Sequence, residues 1–400
     1  MRRALPIFLC VVLSVLSACQ RAVTPLPHEA YVWQRQWTPA LRDALRDAAP
    51  TFAGWRVLAA ETDRSGTSIA TTPDLDALAQ QNAARITAVL RIDGSTPAFD
   101  ASAIAARALQ IVQRWRAAGI ALNAIEIDHD CARSGLADYA RGLSALRAQL
   151  PPDVRLSITA LPDWIQAPAL SDVLAQVDES VLQVHAVRSP AENLFDAQLA
   201  LRWIDTYAAR SPRPFRVALP AYGVGVRFDE AGRALAVEAE TPRADLGSDV
   251  REIAAQPADV AWLLRRLEAA PPPRLAGIAW FRLPTAQDRR AWSLAALRAV
   301  ISGAPLAHDL SARVVMGADG AQDLLLSNRG ALDAPLPASV AVQASACSAA
   351  DGVNDFVAQP GAHGWRFVAA ASTPLRAGHE RRIGWLRCGI VEKVNLDEAR

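Results

Sequence analysis

Lysine is almost absent from this 400-residue chain: of its 42 basic residues only Lys393 is a lysine and the rest are arginines. Set against 41 acidic residues, that leaves a formal net charge of +1, so no strong field draws nucleic acid or an acidic membrane surface. The arginine bias and the abundance of alanine read as genome composition rather than function. Several chemical signatures are missing as well. No Gly-x-Gly-x-x-Gly follows the first apolar strand, which argues against a dinucleotide-binding open sheet. No His-x-His or His-Glu-x-x-His spacing offers a ready metal site, so neither a metal nor any other cofactor is expected. No Gly-x-Ser-x-Gly elbow presents a serine nucleophile.

What is present begins with an address. Met1-Arg-Arg forms a positive segment and Leu5 to Leu16 a short apolar one, too short for a comfortable membrane span. Leu16-Ser-Ala-Cys19 is similar to the lipobox of bacterial lipoproteins, whose cysteine carries lipid and becomes the first mature residue. The resemblance implies a signal peptide over residues 1–18, lipidation at Cys19 and a linker over 19–27. Gln20, where an Asp would signal inner-membrane retention, implies an outer-membrane protein facing the periplasm. A plain cleaved secretory signal is the alternative. Cys131, Cys347 and Cys388 then remain, in a compartment that permits pairing. Cys347 and Cys388 share the C-terminal region and are expected to bridge, worth roughly 4 kcal/mol in the chain-entropy account. Cys131 is expected to be buried and inert, because no basic cluster lies near it.

Apolar runs of strand length recur with amphipathic helical segments between them. The expected strands are 30–37, 54–62, 84–93, 120–130, 154–164, 180–187, 215–223 and 275–284. The clearest helices are 101–118, 135–150, 195–210, 259–270 and 289–301, with Asp100 and Ser134 as caps. Ile104, Ala108, Ile111, Val112 and Trp115 repeat with the helical period, which predicts one stripe buried on a sheet. Eight strands alternating with helices predict an α/β fold, a closed (β/α)8 TIM barrel, over residues 28–302. Alternating residues over 223–240, around an Asp-Glu-Ala-Gly turn, predict a β-hairpin inserted after the seventh strand. Residues 303–400 change to an all-strand pattern (323–327, 338–344, 364–367, 382–388), which predicts a small C-terminal β-sandwich.

The most informative run is Asn123-Ala-Ile-Glu-Ile-Asp-His-Asp130. It reads as the fourth strand, and its two-residue period aims Glu126, Asp128 and Asp130 at one face. Crowded carboxylates on a buried surface need partners or a use. At the carboxyl end of a barrel strand the use is sugar cleavage or metal binding. A structural ion-pair network inside the barrel is the plainer account.

The serial order of motifs resembles the chitinase-like family 18 glycoside hydrolases. Their fourth strand carries Asp-Gly-x-Asp-x-Asp-x-Glu, which falls here on Asn123, Ala124, Glu126, Asp128 and Asp130. Their seventh strand ends in Gly-x-Pro-x-Tyr-Gly, matched by Ala218-Leu-Pro-Ala-Tyr-Gly223, and the eighth ends near a Trp, matched by Ile278-Ala-Trp280-Phe. The acid position holds Asp130 in place of Glu, one methylene shorter, so its reach differs by more than about an ångström. Leu182-Gln-Val-His185 replaces the Met-x-Tyr-Asp of the sixth strand. The whole chain is closer to bacterial lipoproteins carrying the domain of unknown function 3142, which implies a glycosidase-like barrel and an envelope location.

The resemblance implies a glycosidase in which Asp130 is the general acid, with Asp128 and the deeper Glu126 setting its charge state. Asp93 or Asp163, ending the flanking strands, would be the second carboxylate. Arg91 is expected to face inward and pair with Glu126. Trp164, Tyr222 and Trp280, with Trp33 or Trp37, stand where a mouth would stack sugar rings. A second reading has Asp93, Asp128, Asp130 and His185 converge on a divalent ion, with His129 turned toward the helices. The third is a carbohydrate binder that has lost turnover. The expected partners are a carbohydrate and, through the anchor, a membrane; nothing in the sequence indicates an oligomeric state.

Overall fold

The computed structural model describes residues 25–81, 84–94, 99–185, 193–229, 234–238, 250–317, 320–370 and 373–397. The proposed signal segment and Cys19 lie outside these residues. Eight parallel strands close on themselves: His28–Val32, Gly54–Thr62, Arg85–Ile92, Leu122–His129, Arg155–Ala160, Glu179–Gln183, Phe215–Pro220 and Leu275–Phe281. We number them one to eight. Strand one pairs with strand two through Glu29 to Val32 and with strand eight through His28 to Ala30, which shuts the ring.

A helix follows each strand, and in five of the eight a side-chain cap marks where the helix starts. The Thr38, Asp74, Asp100, Asp196 and Ser293 side chains accept hydrogen bonds from the first free backbone N–H groups of their helices. Ser134 does not cap as expected. It lies inside a single 3-10 turn, Arg133–Gly135, and the helix begins at Leu136 with no side-chain cap. The fifth strand also stops earlier than its apolar run, because Pro162 opens a 3-10 turn over Pro162–Gln166. The last barrel helix is Leu294–Ser302 rather than 289–301.

Between strand seven and its helix, Gly223–Phe228 pairs with Ala234–Glu238, the inserted hairpin; its turn lies outside the described residues. A third strand, Arg251–Ala254, pairs on the other side. Two four-stranded antiparallel sheets follow the barrel, one of them Leu310–Met316, Gln322–Asn328, Glu380–Arg387 and Ala349–Gly352. The other contains Phe356–Gly361, Gly364–Ala369, Ser339–Ser345 and Ile390–Asp397. Leu324, Leu326, Val340, Val342, Phe367, Ile383 and Leu386 form the core between them. Cys347 and Cys388 are bonded, and Cys131 is buried, as the sequence predicts.

The large apolar core lies between strands and helices, while the barrel interior is mixed. Tyr31, Val89, Val181, Ala218 and Ala279 supply its apolar part. The polar part is ionic, and from it rises the ladder of the fourth strand.

Candidate active site at the barrel mouth

At the base of the barrel the buried guanidinium of Arg56 donates to Glu29 (2.8 Å), Glu179 (2.7 Å) and Glu126. Arg216, also buried, bridges Glu179 (3.0 Å) and Glu29 (3.2 Å). Charges this deep are tolerable only when paired and hydrogen-bonded, and here each carboxylate meets at least one guanidinium. Burial alone would raise the Glu179 carboxyl, but Arg56 and Arg216 overcome it and hold the pKa at about 2.

Glu126 has no exposed surface; it accepts from Tyr31 (2.8 Å) and Ser157 (2.9 Å) besides Arg56. Burial pushes its carboxyl up, against the pull of Arg56. With both oxygens engaged beneath the cleft, Glu126 has no path to a ligand, and its part is to tie four strands together. The expected Arg91–Glu126 pair does not form, because the barrel closes Arg56 onto Glu126 instead.

Arg91 sits one layer higher. It donates to Asp128 through one terminal nitrogen and to Asp130 through the other, at 3.1 Å. Asp128 also accepts from Thr159 (2.6 Å) and Gln183 (3.4 Å). Asp130 differs from its neighbours below: its Oδ2 takes Arg91, while its Oδ1 is enclosed with no partner among the described residues. Burial, reinforced by the negative charge of Asp128 and opposed by Arg91, raises its pKa to about 6.

Above the ladder opens a cleft of about 470 Å³. Arg91, Asp128, Asp130, Asp163, His185 and Tyr222 line it, six of the residues singled out from sequence. Trp33 lines it too, with the Arg91 guanidinium 5.9 Å from its ring centre, while Trp37 packs on the core between strands and helices. Asp93 is absent from the lining and acts on Asp130 at a distance, its charge adding slightly to the upward push.

Two expected sugar platforms are elsewhere. Trp164 is fully buried, with its indole N–H on the Cys131 carbonyl at 2.9 Å and its ring against Tyr139. Trp280 is fully buried and donates to His28 at 2.9 Å. Its neighbour Ala279 faces the barrel interior, so strand alternation turns Trp280 out toward the helices. Phe281, one residue on, holds the cleft wall in its stead.

The metal reading loses its ligands. Arg91 pairs with both Asp128 and Asp130, and among the described residues no three His, Cys, Asp or Glu side chains gather to hold an ion. His129 packs among Phe99 and Tyr139, as its position on the outward face requires.

Sequence reasoning missed the rim ion pair Arg35–Glu61, and Tyr31, Thr159 and Gln183 in the wall. The signal was available in the polar residues that interrupt apolar strands at every second position, as in Glu29-x-Tyr31-x-Trp33. Arg91 is a lever on Asp130, and Arg91→Gln removes the positive charge paired with it. The Asp130 carboxyl should then titrate well above 6, read by carboxyl-carbon NMR against an Asp130→Asn control; an unmoved titration contradicts this account of the site.

A family model described as a domain of unknown function (DUF3142) matches residues 82–286, and one described as a domain of unknown function (DUF8456) matches 312–389. No curated protein matches the chain. Among solved structures, the spore cortex-lytic enzyme SleL of Bacillus cereus is 13% identical with a TM-score of 0.48, covering 66% of this chain and 72% of its own. A chitinase from Chromobacterium violaceum is 14% identical with a TM-score of 0.47, covering 65% of this chain and 95% of its own. A class V chitinase from Pseudomonas fluorescens is 12% identical with a TM-score of 0.49, covering 70% and 99%.

Proposed function

The chain belongs to the family of the domain of unknown function DUF3142, and from that premise we propose that it is a glycoside-hydrolase-like barrel acting on an envelope or extracellular polysaccharide. The observation that carries this reading is Asp130: a carboxyl at the mouth of a barrel, titrating near 6, with one oxygen unpaired among the described residues, beside an aromatic-lined cleft. A carboxyl of that kind is protonated in slightly acidic conditions and still a competent donor near neutrality. In the proposed reaction Asp130 gives its proton to the glycosidic oxygen as the bond from that oxygen to the anomeric carbon breaks. The sugar alcohol leaves, water adds its hydroxyl to the anomeric carbon, and the proton that water sheds passes to a carboxylate of the cleft. Asp163, on the turn after strand five, faces the same cleft and is the second carboxylate. Its separation from Asp130 across a bound sugar decides between inversion and retention. Trp33, Tyr222 and Phe281 supply the apolar faces on which a ring can rest.

The test is a panel of purified envelope and extracellular glycans, followed by reducing-end release and by binding. Neither turnover nor binding across the panel would sink the proposal. One observation favours a second reading, binding without turnover: Arg91 holds Asp130 Oδ2 at 3.1 Å and so favours its ionised, non-donating form. Binding with no product, unchanged by Asp130→Asn, decides for that alternative.

We also propose that the protein is held at the periplasmic face of the outer membrane by lipid on Cys19. No helix among the described residues is long and apolar enough to cross a membrane. Cys19→Ser should abolish metabolic fatty-acid labelling and release the protein from the membrane fraction; persistent labelling refutes the anchor.

A further inference from the structure

One wall of the cleft is braced from outside the barrel. Arg376 belongs to the C-terminal sandwich, next to its core residue Leu375. Its guanidinium reaches the segment after strand eight, donating to the Ala291 carbonyl at 2.7 Å and to the Asp288 carbonyl. Asp333, also of the sandwich, orients Arg376 at 3.0 Å and accepts from the backbone of Ser293 at 2.9 Å.

That segment in turn holds Tyr222. Tyr222 and Ala291 form a β-bridge, and Gly223 donates to the Arg290 carbonyl at 2.6 Å. The Asp288 carboxylate grips buried Arg282, whose guanidinium lies 5.7 Å from the centre of the Tyr222 ring. The Tyr222 hydroxyl meets His185 Nδ1 at 3.3 Å, and the His185 ring stacks on Phe281 at 5.5 Å. Only 6% of His185 is exposed; it lines the cleft, and its Nε2 has no partner among the described residues.

We propose that the sandwich builds this wall: Arg376 is a positioning residue that, through Asp288 and Arg282, holds Tyr222 so that the tyrosine fixes His185 as an Nε2–H donor toward the cleft. The tautomer follows from counting protons. Among the described residues the Tyr222 hydroxyl has one acceptor in reach, His185 Nδ1. With Tyr222 donating, a single group is left unsatisfied, the Nε2–H. With the proton on Nδ1 instead, the buried Tyr222 hydroxyl proton would be stranded with no acceptor among the described residues, whatever meets Nε2 at the cleft wall. Burial also lowers the imidazole to about 4, so the ring stays neutral at ordinary pH. A neutral, fixed donor takes an acceptor oxygen, such as a hydroxyl or an amide carbonyl. The inference concerns how the wall is held and stands whatever ligand the cleft takes.

The experiment is nitrogen NMR on the full chain labelled in histidine, with the His185 signal identified by its loss in His185→Gln. Wild type should show Nδ1 unprotonated and Nε2 protonated; a protonated Nδ1 overturns the proposal. Arg376→Ala, checked for an intact fold by circular dichroism, should lose the fixed pattern and average toward both tautomers. Tyr222→Phe should do the same by removing the hydroxyl alone. A folded Arg376→Ala or a Tyr222→Phe protein with the wild-type pattern overturns it. Should Arg376→Ala not fold, Arg376→Lys, which keeps the charge and loses the two-pronged reach, is read in the same way.

Discussion

Asp130→Asn is expected to lower glycan turnover by about 10²- to 10⁴-fold, the contribution of a positioned proton donor, while glycan affinity changes only a few-fold. Asn keeps the shape of Asp and can still accept from Arg91, so the cleft is preserved, but it has no proton to give. The pH profile carries the same signature. The acid must be protonated, and the Asp130 carboxyl titrates near 6, so wild-type turnover should fall on the alkaline side with a midpoint near 6. Arg91→Gln should move that limb to higher pH, because it removes the charge that favours ionisation. Kinetics on a substrate found by the glycan panel, at a series of pH values, check both. Full activity in Asp130→Asn would place the acid elsewhere.

Arg56→Met is expected to cost about 3–5 kcal/mol of folding stability, the usual penalty for removing one partner of a buried ion network. Met fills similar volume, so the loss comes from charge: Glu126 is left with no guanidinium, and Glu29 and Glu179 share Arg216. Urea unfolding near neutral pH reads the cost. Its pH dependence should differ between the two proteins. In wild type Glu179 titrates at about 2 when folded against an ordinary 4.5. Between those values the unfolded chain binds more protons, so wild-type stability falls as pH drops from 4.5 toward 2, by about 3 kcal/mol from this group. In Arg56→Met the stranded carboxylates titrate high when folded. The folded state then binds more protons, and as pH falls from neutrality toward 4.5 the variant should gain more stability than wild type, whose raised Glu126 and Asp130 carboxyls already act in that direction. A loss under 1 kcal/mol, or parallel pH slopes, would contradict this account of the barrel base.

The sequence by itself determined the frame. Eight apolar runs and the helices between them appear at their places, because hydrophobic period and helix capping are local properties of the backbone. Strand two matches its expected limits, 54–62, at both ends. The same two-residue period put Asp128 and Asp130 on the inward face and His129 on the outward one. Local pattern also misled at strand ends. Trp164 continued an apolar run, yet Pro162 had already turned the chain, and Trp280 stood one residue from the inward position that Phe281 takes.

What only the tertiary structure decided is which charge meets which. Arg56 and Glu179 are 123 residues apart and Tyr31 and Glu126 are 95 apart, and they touch because the ring closes. Arg91 and Arg56 are each an inward arginine on a strand near the fourth, and sequence spacing cannot rank them as partners for Glu126. The height of each strand in the closed barrel ranks them, by setting the layer at which each side chain points inward. That register places Arg56 beneath Arg91, which buries Glu126 in a salt-bridge network and leaves Asp130 at the mouth with one oxygen unpaired among the described residues.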